Sequence, residues 1–249
     1  QMISKAALEN YPLSFAQQRL LFIEEFEEGT HAYHIPHFVE LKSGVDLKAL
    51  MAAINLIAER HPVLKVVYCS DEAGNGEQRV LSGDIALQRT EVSEDNLAMQ
   101  VEADSQRPFD LKAEASFRIH HYQTGEIQYL LMLWHHIAFD GWSTQVFFRE
   151  LSQAYNELCA GQIPTLPALD IDYRDYALWQ REYMQGESLA ELNKYWLDTL
   201  SGYEPLALPL DKSRPAQFDY SGKDHRFSLD ERVSQGLRAL AQRHETTLY

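Results

Sequence analysis

Two adjacent histidines, His135 and His136, precede Asp140 and Gly141 within the stretch from Leu130 to Ser143. An imidazole can take up or release a proton near neutral pH, because its unperturbed pKa is about 6.5. These residue types therefore suit general acid–base chemistry or the positioning of a reacting amine. No Ser or Cys stands in a nucleophile elbow, so the pattern does not predict a covalent intermediate.

The elements that must position this site are an apolar run before the histidines and an amphipathic segment after them. The run that starts at Leu130 is typical of a buried strand. Successive side chains of a strand point to opposite faces, so one histidine is expected to face a site and the other to pack. Ser143 is a good N-cap residue, and the apolar residues that follow it at helical spacing predict a helix. These are Val146, Phe147, Leu151, Tyr155 and Leu158.

Composition and charge exclude several classes of function. The formal net charge of -15 argues against a nucleic-acid surface, which needs clustered Lys and Arg. No run approaches the roughly 18 apolar residues of a membrane span, and the first residues lack the order of a signal peptide. Cys69 and Cys159 have no metal or redox spacing. A reduced, cytoplasmic location without a membrane partner is expected.

The rest of the chain predicts a layered α/β architecture. Ser14 with Gln17 three residues later forms a capping-box pattern at the start of a first helix. Asp46 can cap a second helix that ends near Arg60, and the residues from Val63 to Tyr68 then resemble a strand. The alternation that starts at Phe117 is typical of a half-buried strand.

Three further histidines, His31, His34 and His37, lie at spacings of three. Pro36 disfavours the helix that would bring them to one face, and no cysteine or carboxylate completes a tetrahedral set nearby. No metal site is therefore predicted there. A zinc site at His136 and Asp140 would likewise lack a third ligand.

The stretch at His135 fits the His-His-x-x-x-Asp-Gly motif of the condensation domains of nonribosomal peptide synthetases, in the chloramphenicol acetyltransferase-like superfamily. Other blocks resemble this family in the same order along the chain. They are Ser14–Leu20, Arg60–Leu64, Tyr173–Gln180, Tyr195–Leu197 and the segment from Leu208 through Arg214 to Pro215. Leu21 stands where the family usually has Trp, and Pro62, Lys65 and Val66 replace the family's Glu, Arg and Thr.

The resemblance implies a fold and a domain organisation. The expected fold class is α/β, a chloramphenicol acetyltransferase-like lobe with a mixed sheet packed by helices. Residues 1–176 would form the N-terminal lobe of a condensation domain. Residues 177–249 would contain a linking helix and the beginning of a truncated C-terminal lobe, so the isolated fragment is expected to be inactive.

The resemblance also implies a reaction: a carrier-bound aminoacyl amine attacks a carrier-bound donor thioester, and a peptide bond forms. His136 is expected to contact the acceptor amine, His135 to pack, and Asp140 to act structurally. Gly141 would permit close backbone approach near a helix start. Arg60, paired with Asp140, and Trp142 would support the site, whose motif resembles the type that accepts an L-configured donor.

The partners implied are donor and acceptor peptidyl carrier proteins, an adjacent adenylation domain and the missing C-terminal lobe. No cofactor is expected to bind directly; the phosphopantetheine arms of the carriers would deliver both substrates. Two alternatives stay open. One is a non-catalytic docking or recruitment domain, and the other is an acyltransferase that uses coenzyme A.

Overall fold

Strands and helices are interspersed up to His135, and helices follow one another after it. The computed structural model describes residues 2–26, 30–70, 74–207, 209–213 and 225–248. The strands are β1 Tyr11–Pro12, β2 His34–Leu41, β3 Val66–Ser70, β4 Gly76–Val80, β5 Leu87–Glu91, β6 Phe117–Thr124 and β7 Ile127–His135. The helices are α1 Phe15–Phe26, α2 Leu47–Arg60, α3 Glu94–Gln106, α4 Gly141–Cys159, α5 Tyr173–Tyr183, α6 Gly186–Thr199 and α7 Glu231–Arg243.

A four-stranded sheet in the order β2-β7-β6-β5 positions the candidate site. β5 pairs with β6 in parallel, whereas β2–β7 and β6–β7 are antiparallel, so the sheet is mixed. A second, three-stranded sheet has the order β1-β4-β3. The predicted α/β class with a mixed sheet packed by helices is confirmed.

β7 is buried on both faces, as its continuous apolar sequence predicts. Leu130, Met132 and Trp134 contribute to a core with residues of α2 and α4. Leu131 and Leu133 contribute to a second core on the other face. The two faces follow from the period of two along a strand.

Local capping signals correctly predict two helix starts. Asp46 accepts hydrogen bonds from the backbone N–H groups of Lys48 and Ala49, at 2.8 and 3.0 Å. Ser14 and Gln17 form the reciprocal pair: the Gln17 carboxamide accepts from the Ser14 N–H, and the Ser14 hydroxyl accepts from the Gln17 N–H. These bonds satisfy N–H groups that have no partner within the helix.

Two strand predictions need correction. The segment from Val63 begins as a 3-10 turn, Pro62–Lys65, and the strand starts only at Val66. Proline favours a helical first turn because its φ is fixed near −65° and it has no N–H to satisfy. β6 is buried on both faces from Phe117 to Tyr122 rather than on one, because Phe117 and Ile119 pack in one core and Tyr122 packs in the other.

The chain divides into two compact units, one ending at Tyr203 and one starting at Glu204. The second unit contains α7, whose N-cap Asp230 accepts a hydrogen bond from Val233 N–H at 2.8 Å. Leu208, Arg214 and Pro215 of the last family-like block lie outside the described residues. The lobe boundary at 176/177 stays a prediction; it falls within α5.

None of the helices in the described part of the chain is long and apolar enough to cross a membrane.

Gly76 gives a test of packing between β4 and the start of the chain. A Cβ added there would lie 2.6 Å from Cδ1 and 3.1 Å from Cγ of Leu13, a side chain only 1% exposed. We expect Gly76→Ala to lower the free energy of unfolding by about 1–3 kcal/mol, because the buried leucine must repack. Urea denaturation of the chain measures this change. Gly236→Ala is the matched control, since a Cβ there meets nothing within 4 Å and alanine favours the helix interior. Equal stability of Gly76→Ala and the wild type would contradict the packing argument.

Candidate active site at the end of the central strand

The connection between β7 and α4 alternates buried and open residues. His135 and Ile137 are buried, whereas His136 and Asp140 are exposed. Backbone hydrogen bonds hold the alternation: His135 N–H donates to Ser116 carbonyl at 2.9 Å, and His136 N–H donates to Tyr33 carbonyl at 2.8 Å. The two histidine side chains are therefore held in different surroundings.

An aromatic stack fixes this connection to the core. The rings of Trp134 and Phe139 lie parallel, with centroids 4.3 Å apart, and Phe117 stacks on Trp134 at 4.9 Å. Phe147 from α4 meets Trp134 edge-on at 5.1 Å. Such pairs stabilise a structure beyond the area they bury. The two ends of the connection are thus joined by one aromatic cluster. The sequence shows these aromatic residues but does not indicate that they contact one another.

His135 points into the interior and is 0% exposed. Its Nδ1 accepts a hydrogen bond from Ile137 N–H at 3.1 Å, so Nε2 carries the proton of the neutral ring. Nε2 lies 3.2 Å from Glu24 Oε1. The structure therefore gives His135 a role in holding the turn, with no access to a ligand.

His136 is exposed, and its ring orientation is set by the turn itself. Nδ1 lies 2.8 Å from the carbonyl oxygen of Phe139. A carbonyl oxygen only accepts, so Nδ1 donates its hydrogen, and in the neutral ring Nε2 then carries the lone pair. The side chain lines a cavity of ≈ 570 Å³, within the range of small-molecule sites. This arrangement leaves a proton-accepting nitrogen at the cavity.

Asp140 is the N-cap of α4, not Ser143 as the sequence predicts. Oδ1 of Asp140 accepts from the backbone N–H of Ser143 at 2.8 Å and from its hydroxyl at 2.7 Å. Burial by itself would raise the pKa of Asp140. Its hydrogen bonds with Ser143 and the nearby His136 outweigh burial, and the pKa of this carboxyl is lowered from its usual value. Both aspartate and serine can cap a helix, and the backbone conformation of the turn decides which of them does so.

The resemblance implied that Arg60 pairs with Asp140, but in the structure Arg60 pairs with Glu150 instead. Its Nε donates to Glu150 Oε2 at 3.1 Å, and its Nη1 donates to the carbonyl of Pro167. Glu150 lies in the middle of α4, well beyond the motif, and is buried. Arg60 therefore ties the end of α2 to the body of α4, because a buried carboxylate needs a paired cation.

Gly141 and Trp142 form the first turn of α4. Gly141 has no positive φ, and a Cβ added there meets nothing within 4 Å. Trp142 is 80% exposed and lines a second, largely apolar cavity of ≈ 350 Å³. The supporting role that the resemblance implies for Trp142 stays a prediction.

Several cavity residues were not predicted from sequence as site residues. His61, Tyr33 and Tyr173 line the His136 cavity. Tyr173 OH and Ser14 Oγ lie 2.9 Å apart, so the first and fourth family-like blocks meet at the cavity wall. Burial raises the pKa of Tyr173, which keeps its hydroxyl protonated. For His61 and Tyr173, their positions in family-like blocks were the available signal.

Within the described residues, no group of three or more His, Cys, Asp or Glu side chains is arranged to hold a metal ion.

Comparison with known families decides the membership of the chain. The family model described as "Condensation domain" matches residues 7–249. The chain belongs to the condensation domain family. It is 38% identical to N-(5-amino-5-carboxypentanoyl)-L-cysteinyl-D-valine synthase of Amycolatopsis lactamdurans, over 98% of this chain and 7% of that protein. It is 32% identical to malpinin synthetase of Mortierella alpina, over 96% of this chain and 3% of that protein.

Solved structures give the same fold. The X-domain in its complex with OxyB from teicoplanin biosynthesis matches with a TM-score of 0.77 and 27% identity, over 87% of this chain and 49% of that chain. The starter condensation domain of rhizomide synthetase matches with a TM-score of 0.68 and 18% identity, over 78% of this chain and 48% of that chain. This condensation-domain chain thus spans about half the length of these solved relatives, and 7% or less of the two synthetases.

The capping role of Asp140 can be separated from its charge. We expect Asp140→Ala to lower the free energy of unfolding by about 1 kcal/mol, and Asp140→Asn to lower it less, because asparagine also caps helices well. Since the folded-state pKa of Asp140 is lowered, the contribution of its charge is present above the unfolded pKa and is lost as the pH falls through the folded pKa. The difference between wild type and Asp140→Asn should therefore close in acid. Urea denaturation at neutral and acid pH measures both effects; equal losses for the two variants at neutral pH would contradict the capping role.

Gly141→Ala tests whether a ligand approaches this backbone. Because the site of the new Cβ is open, we expect the melting temperature to stay the same or to rise, since alanine favours a helix. A substrate that approaches the N–H of Gly141 would meet the new methyl group, so transfer by the full-length protein should fall. Thermal denaturation and product mass spectrometry give the two readings. Undiminished transfer would show that no substrate approaches this position.

Proposed function

We propose that this chain supplies one wall and the reacting histidine of a site that forms peptide bonds between two carrier-bound substrates. The observation that carries the proposal is the fixed orientation of His136. Its Nδ1–H is bound to the Phe139 carbonyl, and Nε2 is left as an acceptor at a cavity. Similarity to peptide synthetases along nearly the whole chain supports the same reaction.

The chemistry follows from the bonds that change. The nitrogen of the acceptor aminoacyl group attacks the carbonyl carbon of the donor thioester, a C–N bond forms, and the C–S bond breaks with the electron pair leaving on sulfur. His136 Nε2 accepts a hydrogen bond from the amine and takes a proton as the C–N bond forms. General-base assistance of this kind contributes about 10²- to 10⁴-fold, and orientation of the two thioesters contributes further.

Asp140 and Gly141 contribute through the start of α4. Asp140 fixes the first turn, and the positive end of the helix dipole then lies beside the cavity. The N–H of Gly141, at the first position of this turn, can stabilise the negative charge that develops on the donor carbonyl oxygen. In this proposal Asp140 is structural and carries no proton.

The partners in this proposal are the donor and acceptor peptidyl carrier proteins, whose phosphopantetheine arms bring the thioesters, together with an adenylation domain. A second lobe would complete the site, with residues 1–176 as the first lobe and 177–249 as the link and the start of the second. The choice of an L-configured donor and a cytoplasmic location belong to the same proposal.

A second candidate function is recruitment without turnover. It is favoured by the match to an X-domain that was solved in complex with OxyB, at 27% identity. The open lone pair of His136 favours catalysis over recruitment, because a docking surface does not need a proton acceptor aligned in a cavity.

Peptide transfer in the full-length protein tests the proposed function. With both carriers loaded, the acceptor carrier should gain the mass of the donor acyl group, and His136→Ala should reduce the rate at least about 100-fold. The matched control is His31→Ala, since His31 is exposed and does not line the cavity. Intact-protein mass spectrometry gives the readout, and circular dichroism checks folding.

Each outcome separates the candidates. Full transfer by His136→Ala would contradict the assigned mechanism. Absence of transfer by wild type would favour recruitment, or a coenzyme A-dependent acyltransferase if acyl-coenzyme A served as donor. His135→Ala is not a useful control, because His135 is buried and holds the turn.

A further inference from the structure

A second histidine of the His136 cavity is bound to a buried carboxylate. His61 Nε2 lies 2.7 Å from Glu150 Oε2, and Arg60 Nε donates to the same oxygen at 3.1 Å. An oxygen that receives the Arg60 hydrogen is a carboxylate acceptor, so Nε2 of His61 is the donor. The Glu150 side chain is only 8% exposed, which strengthens its interactions with both neighbours.

The backbone of His61 is also held. It is the C-cap of α2, where its N–H donates to Ile57 carbonyl at 2.8 Å. Pro62 follows and restricts the conformation of His61. With Nε2 donating to Glu150, the ring is therefore fixed from both ends.

The remaining ring nitrogen, Nδ1, is a free acceptor. It has no hydrogen-bond partner among the described residues, and the side chain is 25% exposed. His61 lines both the ≈ 570 Å³ cavity of His136 and the adjoining ≈ 350 Å³ cavity. The same cavity thus contains two imidazoles, each with one nitrogen engaged and one free.

The proposed reaction has two protons to remove. An α-amino group has a pKa of about 8, so the acceptor arrives mostly as an ammonium ion at neutral pH. It must lose one proton before its lone pair can attack the thioester. It loses a second proton as the amide forms.

We infer that His61, positioned by Glu150, accepts the first of these protons and so converts the bound ammonium group into the attacking amine. The inference rests on the proposed function. The proton passes from the ammonium nitrogen to Nδ1, and the imidazolium is stabilised by the Glu150 carboxylate. His136 accepts the second proton during attack. One of the two protons is returned to the departing thiolate and the other to solvent, so the reaction yields an amide, a thiol and one proton.

Other polar and charged groups surround His61. Arg60 shares Glu150 with His61 but does not line the His136 cavity, whereas Arg19 lines that cavity from α1. Asp140 and Tyr173 line it from the starts of α4 and α5. Because several charged groups lie near His61, the test compares substrates and variants rather than one pH profile alone.

His61→Gln tests the inference in the full-length protein, because glutamine can still donate to Glu150 but has no basic nitrogen. With a glycyl-loaded acceptor carrier, kcat/KM should fall about tenfold at pH 7 and recover by pH 9, where the amine is already neutral. With an aminooxyacetyl-loaded carrier, whose nitrogen is neutral at pH 7, wild type and His61→Gln should react alike. His136→Ala should fail with both acceptors.

His31→Gln is the matched control and should leave both reactions unchanged, since this exposed histidine lines neither cavity. An equal loss with both acceptors at every pH would assign His61 a structural role and overturn the inference, as would an unchanged rate for His61→Gln. If wild type transfers the aminooxyacetyl acceptor but the glycyl rate follows the neutral fraction of the amine, His61 does not take the proton, and the proposed function still holds. If wild type transfers neither acceptor, the proposed function fails and this inference fails with it.

A wild-type measurement gives the same decision if His61→Gln does not fold. Between pH 8 and pH 7, kcat/KM for the glycyl acceptor should stay level, because the ammonium form is a competent substrate. A fall in proportion to the neutral amine would overturn the inference.

Discussion

The stack of Phe139 on Trp134 is the contact on which the candidate site depends. It joins the end of the central strand to the start of α4 and buries both rings, with centroids 4.3 Å apart. Because both ends of the turn are anchored in the core, the residues between them have little freedom. His135 is directed inward, and His136 donates to the carbonyl of Phe139 itself. The ring of His136 is thereby oriented by the backbone of the turn itself.

The buried carboxylate of Glu150 connects α4 to the end of α2, where His61 lines the cavity. Glu150 accepts from Arg60 and His61, which are consecutive residues at the end of α2. Removing a charge from water is costly unless it is paired, so this carboxylate favours one position of α2 against α4. Asp140 is the N-cap of the same helix, so the pairing of Glu150 also stabilises the helix that follows the motif. In this way an electrostatic contact far from His136 along the chain helps to define the cavity.

Contacts between residues distant in sequence connect the start of α1 to α5. The Ser14 and Tyr173 hydroxyls meet at 2.9 Å, and Arg181 Nε donates to the carbonyl of Leu13 at 2.6 Å. Both contacts join the entry of α1 to α5. The blocks that resemble the condensation family are therefore brought together in space, which gives a physical reason for their occurring together in one sequence.

The sequence by itself determined the elements whose signals are local. The apolar run predicts β7, Asp46 and the Ser14–Gln17 pair predict two helix starts, and the motif at His135 indicates the family. These signals depend on periodicity and on side chains within one turn of the backbone, so they survive without knowledge of the fold.

Only the tertiary structure decided which groups meet. Arg60 pairs with Glu150 rather than Asp140, Asp140 caps α4 in place of Ser143, and β6 is covered on both faces. His61 and His136 line one cavity for the same reason. A partner 90 residues away along the chain, as Glu150 is from Arg60, is chosen by how helices and strands pack, and neither spacing nor residue type specifies that choice.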